Sequence, residues 1–161
     1  MVYRPSILLY QGRVLDDNSL IIRNKTMKTT IIFASAFRAT ATEVENAHNS
    51  IMAMQALQGQ LAAPAQTCVG SWKEEGEEVA STELTFVMPV NEHKIGAVAA
   101  LFHNTFNQDA VLAVCPEDFS AHLINRDGSI VQIGKMQVIT EEEAKGSECY
   151  TYWQGKYWLA K

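Results

Sequence analysis

The chain has 161 residues, 47% of them hydrophobic and 19% charged, with a formal net charge of −5. That length and balance describe one globular domain with a sizeable core and not a disordered chain. The acidic charge, with lysines and arginines scattered, gives no basic nucleic-acid surface, and no stretch approaches the roughly 20 apolar residues of a membrane span. Cys68, Cys115 and Cys149 are odd in number, far apart and without a CxxC pair. They predict buried thiols in a reducing, cytoplasmic setting, with no disulfide framework and no zinc site.

Residues 1–26 differ from the rest. Ser6-Ile7-Leu8-Leu9-Tyr10 is too short for a signal-peptide core, and Gln11-Gly12-Arg13 follows it where a cleavage site would stand. Asp16-Asp17-Asn18-Ser19 is a turn signal between Ile7–Leu15 and Leu20–Ile22, which reads as a hairpin or a loose arm. Met27 is a conceivable second start, which would make this arm dispensable and leave 27–161 as the domain.

Thr30-Ile31-Ile32-Phe33-Ala34 predicts a buried strand over about 29–36. Thr42 with Glu45 three residues later forms a capping-box signal, so a helix is expected from about 42 to 58, ended by Gly59. One face is read as Val44, Ala47, Ile51, Met54 and Gln58, with His48 and Leu57 beside it. The corner between them, Ser35-Ala36-Phe37-Arg38, hands a strand to a helix, a place where ligands often sit. A second strand is expected over 67–72. The acidic run from Lys73 to Glu78 lacks calcium-ligand spacing and reads as a solvated hairpin loop.

In Ser81–Val90, Leu84, Phe86 and Met88 share one strand face, while Glu83, Thr85 and Val87 share the other. On pattern alone Glu83 is an exposed edge carboxylate. A second helix is expected from an Asn91 cap to about 106 with Ile95, Val98, Ala99, Phe102 and Phe106 as its stripe, and His103 at its boundary. Ala110–Val114 follows as a strand. The order strand, helix, strand, strand, helix, strand predicts an α+β, ferredoxin-like βαββαβ antiparallel sheet. Two helices would cover one face and leave the other open to a partner. Arg126-Asp127-Gly128 and Gln154-Gly155 mark two C-terminal hairpins, the second rich in aromatics that suit either a purine pocket or core.

The chain has no P-loop, GxGxxG, HExxH or nucleophile elbow. Five pieces, in order, resemble the bacteriophage S-adenosylmethionine lyases, formerly called hydrolases: Ser35-Ala36-Phe37-Arg38, Glu43-Val44, Gly70 with Trp72, Thr82-Glu83, and Gln108-Asp109-Ala110-Val111-Leu112. Cys149-Tyr150-Thr151 with Gly155 and Trp158 extends the match, which spans about residues 29–161. The resemblance implies a trimer like the nitrogen-regulatory signal proteins, with S-adenosylmethionine bound between subunits and no cofactor. It implies cleavage to methylthioadenosine, depleting the methyl donor of host restriction–modification enzymes. Glu83 and Trp72 stand at its catalytic positions, although family members carry tyrosine where this chain has Trp72. Ser35, Phe37, Arg38, Gln108 and Asp109 stand at its substrate-binding positions. Phe37 is read as packing on adenine or sulfonium, or in the core. Arg38 is read as binding the substrate carboxylate or pairing with Glu43. Asp109 is read as a helix cap or a ribose ligand. Alternatives are a hydrolase with Glu83 as base, a nucleotide-binding regulatory trimer without chemistry, and a protein that inhibits a host enzyme by contact.

Overall fold

A computed structural model describes residues 28–61, 63–73 and 76–161, and the backbone of 9–10 and 13–14. The short strands β1 (Leu9–Tyr10) and β2 (Arg13–Val14) pair antiparallel. The remainder of the N-terminal arm lies outside the described residues. The other elements are β3 (Thr29–Ser35), α1 (Glu43–Gln58), β4 (Gln66–Trp72), β5 (Ser81–Asn91), α2 (92–105), β6 (Ala110–Val114), β7 (Ser120–Asn125), β8 (Ile130–Ile139), α3 (Glu141–Gly146), β9 (Cys149–Trp153) and β10 (Lys156–Ala160).

Strands β3 to β10 close an eight-stranded antiparallel barrel in the order β10-β8-β7-β6-β3-β5-β4-β9. This corrects the ferredoxin-like expectation. The elements from β3 to β6 do run strand, helix, strand, strand, helix, strand. Both edges of that half-sheet are nevertheless occupied, because β6 pairs with β7 and β4 pairs with β9. The face expected to lie open is the barrel interior. Closure satisfies the edge N–H and C=O groups that an open sheet would expose.

Alternation along the shared strands builds two cores. On the outer side Ile32, Ala34, Phe86, Met88, Val111 and Ala113 pack under Val98, Ala99 and Phe102 of α2, Phe106 just after it, and Ala53 and Leu57 of α1. On the inner side Phe33, Val87, Val114, Ala121 and Met136 cluster with Trp153 and Trp158. Phe33 meets Trp153 edge-on with centroids 5.4 Å apart, and the Trp158 indole N–H donates to the Trp153 carbonyl at 3.1 Å. The tail aromatics therefore plug one half of the barrel.

α1 starts as its sequence requires: Thr42 Oγ1 accepts from Glu45 N–H and the Glu45 carboxylate accepts from Thr42 N–H. Its buried face is a correction. Asn46, Ala53 and Leu57 point inward, while Val44, Ile51 and Met54 are exposed. Asn46 sets this rotation. Its side chain accepts from Arg38 N–H at 2.8 Å and donates to Arg38 C=O at 3.0 Å, so the first turn is tied to the corner. Ala53 then permits close approach to the sheet. α2 opens as a 3-10 turn (Glu92–Lys94), becomes α-helical (Ile95–Ala100) and widens into a π-helical turn (Leu101–Thr105).

Candidate active site

The ends of β3, β4, β7 and β10 and the starts of β5, β6, β8 and β9 lie at the same end of the barrel, and a cavity opens there. About 170 Å³ of it is open to water-sized groups. Phe33, Leu112, Met136 and Trp158 form its apolar floor, and Ser35, Glu83, Thr85 and Thr151 bring polar groups to its upper wall.

Of the residues singled out from the sequence, Ser35, Arg38, Trp72, Glu83, Gln108 and Asp109 all line this cavity. Phe37 does not. It lies in a second, shallow groove on the outside, beside Ile51, Met54 and Leu84, because the chain turns outward after Ser35. Trp72 stands at the rim, half exposed, where β4 pairs with both β5 and β9. Glu83 faces the interior directly across from Gly70, which corrects its reading as an exposed edge position.

The corner Ser35–Arg38 is held by its own polar atoms. Ser35 Oγ donates to Leu84 C=O at 2.8 Å and accepts from Phe37 N–H at 3.0 Å. Its hydroxyl is thus committed to the backbone. Arg38 pairs with Asp109 at 3.2 Å and also donates to Asn107 C=O at 3.1 Å. The expected partner Glu43 is not the residue these contacts name. Asp109 likewise caps no helix; it sits between Arg38 and Arg126, the second at 3.8 Å. The Asp109 side chain is 79% exposed, so this cluster orders the rim more than it stabilises the fold.

Asn107, in a left-handed conformation (φ 54°), ends α2 and turns the chain into β6, a conformation asparagine tolerates. Gln108 follows it and is gripped from every side. Its amide donates to Phe37 C=O at 2.7 Å, and its carbonyl accepts from Arg126 at 3.1 Å and from His103 Nδ1 at 3.0 Å. Because a carbonyl only accepts, this contact requires the His103 proton on Nδ1. His103 is buried, not at the boundary of the apolar stripe as expected. The N-terminus of α1 takes no part in the cavity.

Sequence reasoning missed Thr85 and Arg126 as members of this region. Alternation along β5 had already placed Thr85 on the Glu83 face; nothing local marks Arg126, which reaches Gln108 by way of the β6–β7 pairing. Burial pushes the Cys68 thiol up to about 12, with the negative charge of Glu83 adding to it. Burial likewise raises Cys149, which lines the cavity. Neither thiol is a ready nucleophile. No group of three or more metal-ligating side chains converges among the described residues.

No curated protein matches the chain. The model of the S-adenosylmethionine lyase family matches residues 32–161, a span that runs from β3 through β10 and includes every residue placed in the cavity above. The chain belongs to the S-adenosylmethionine lyase family and is an S-adenosylmethionine lyase.

Proposed function

We propose that the enzyme cleaves S-adenosylmethionine to methylthioadenosine and homoserine lactone inside the barrel mouth. The substrate's own carboxylate attacks its γ-carbon; one C–O bond forms, the C–S bond breaks, and its electrons leave on a neutral thioether. No proton moves. Such a displacement needs a folded substrate and a dry site more than it needs a base. The observation that carries this reading is the lining itself. It is an apolar floor beneath Glu83, with no histidine or lysine in the wall among the described residues and with its cysteine thiol pushed towards the protonated form by burial.

Within this reading Glu83 holds the substrate ammonium and abstracts nothing. Trp72 screens the mouth from water; it offers an indole N–H where a tyrosine would offer a hydroxyl. Arg38 is kept on the rim by Asp109. That suits the chemistry, since a guanidinium clamped on the attacking carboxylate would lower its nucleophilicity. Gln108 and Asp109 shape the wall next to the adenosine, and Ser35 acts by fixing the corner. Phe37 belongs to the outer surface.

The same proposal includes a trimer acting in the cytoplasm of an infected cell, where loss of S-adenosylmethionine disarms methyl-dependent restriction. Its support is the stripe Val44, Ile51 and Met54 on α1, next to the groove of Phe37 and Leu84. That stripe is suited to burial against a neighbour. The test is an incubation with S-adenosylmethionine alone in oxygen-18 water, followed by mass spectrometry. Unlabelled homoserine lactone as first product is expected. Homoserine formed directly, with heavy oxygen in its side-chain hydroxyl, would instead make the enzyme a hydrolase with Glu83 as base.

A further inference from the structure

The cavity has two unlike walls. On β6, β7 and β8 its lining is apolar, with Ala110, Leu112, Leu123 and Ile133. On β4, β5 and β9 it carries Ser71, Glu83 and Thr151. Gln108 stands at the head of the apolar wall, two residues before Ala110. Its backbone is held: the N–H donates to Phe102 C=O at 3.0 Å, and the C=O accepts from His103 and Arg126. Its side chain is fixed as well. Nε2 donates to Phe37 C=O at 2.7 Å and to Phe106 C=O at 3.3 Å. Both partners are acceptors, so the amide nitrogen belongs on that side and both its hydrogens are committed. Oε1 is the end left over. It accepts from no group among the described residues, and it is not sealed in protein as Thr85 Oγ1 and His103 Nε2 are.

We propose that Gln108 Oε1 is the acceptor that reads the 6-amino group of the substrate's adenine, with the base lying along the apolar wall. The inference rests on the lyase reading above and deepens it. A purine has flat apolar faces, which suit the carbon of Ala110, Leu112, Leu123 and Ile133. At C6 adenine offers an amine that donates, which matches an amide oxygen whose own nitrogen is turned away. A ribose hydroxyl carries lone pairs as well and needs a donor beside the acceptor, but Nε2 is already committed. The α-ammonium is charged and is better matched by the polar wall. A 6-oxo purine would set its carbonyl against Oε1, acceptor against acceptor. The amide cannot flip to answer it without losing both bonds to the Phe37 and Phe106 carbonyls. Gln108 thus gives the site a preference for adenine over hypoxanthine.

The test compares release of the methylthio-nucleoside from S-adenosylmethionine and from two analogues, one with a 6-oxo purine and one with no substituent at C6. In the wild type, kcat/KM is expected to fall about 10-fold when the amine is removed, as for one lost hydrogen bond. It is expected to fall about 100-fold when an oxo group replaces the amine, as for an acceptor left facing an acceptor. Gln108→Met keeps the length of the side chain and removes the oxygen, so the preference over the 6-oxo analogue should shrink to about threefold or less. That ratio is read on one protein, and a general loss of activity or stability in the variant does not move it. A crystal structure of the wild type with methylthioadenosine decides the matter without any variant: the 6-amino nitrogen should lie about 3.0 Å from Gln108 Oε1. Equal use of the three substrates by the wild type, an unchanged preference in Gln108→Met, or a base seated away from Oε1 would each overturn the assignment. Release of no nucleoside from any of the three would instead remove the lyase reading, and the crystal structure would still show where the base sits.

Discussion

The same strands, β3, β5 and β6, present two unlike faces. Outward, Ile32, Phe86, Met88 and Val111 are sealed beneath α1 and α2 in a hydrophobic cluster. Inward, Val87 and Val114 give way towards the mouth to Ser35, Thr85 and Glu83. The outer face is sealed core, and the upper inner face carries the polar groups of the candidate site. A strand's period of two lets one residue serve each purpose without disturbing its neighbour. The difference teaches that stability and turnover should be separable by residue parity along a single strand.

Phe86→Ala attacks the outer face and should have the largest effect. Phe86 is fully buried and its ring lies 6.3 Å from that of Phe102. The cavity left behind should cost about 3–5 kcal/mol, read as a large fall in the denaturant midpoint. Glu83→Gln attacks the inner face. Turnover should drop about 100-fold, close to 2.7 kcal/mol of transition-state stabilisation, with melting temperature and oligomeric state unchanged. Full activity in that variant would remove Glu83 from the mechanism, and loss of the fold would make it structural.

The smallest effect is a pH dependence at Cys68, whose thiol is raised in the folded chain to about 12 from an ordinary value of 9.0. Below pH 9 both states hold the proton and the thiol is neutral to stability. Between 9 and 12 the unfolded chain releases it first, so stability falls as pH rises. Cys68→Ala should flatten that alkaline slope relative to wild type in melting curves taken from pH 8 to 11. An unchanged slope would show that the thiol is open to water in solution.

Local signals in the sequence located most elements because each element declares itself within a few residues. The Thr42–Glu45 capping box, the alternation of Ser81–Val90 and the turn residues Asp127-Gly128 and Gln154-Gly155 are all short-range chemistry. Barrel closure is not. Pairing of β4 with β9 joins Gly70 to Thr151 and Ser71 to Tyr150, and no periodicity in either strand names the other. The rotation of α1 was hidden for a different reason. Its buried face is chosen by Asn46, a polar residue held by the Arg38 backbone, against a more obvious apolar stripe. For the site, order along the chain drew attention to the corner and to Glu83. Thr85 stayed in the background because a threonine in a strand is unremarkable until its buried hydroxyl is found without a partner among the described residues.

The aromatic plug has a consequence for traffic. With Phe33, Trp153 and Trp158 filling the barrel beneath the cavity, a product formed there as proposed would have to depart by the route the substrate used to enter. Arrival of the next substrate must wait for that departure. In the proposed reaction methylthioadenosine and S-adenosylmethionine would then compete for that doorway, and turnover would slow as the thioether accumulates unless another activity clears it away.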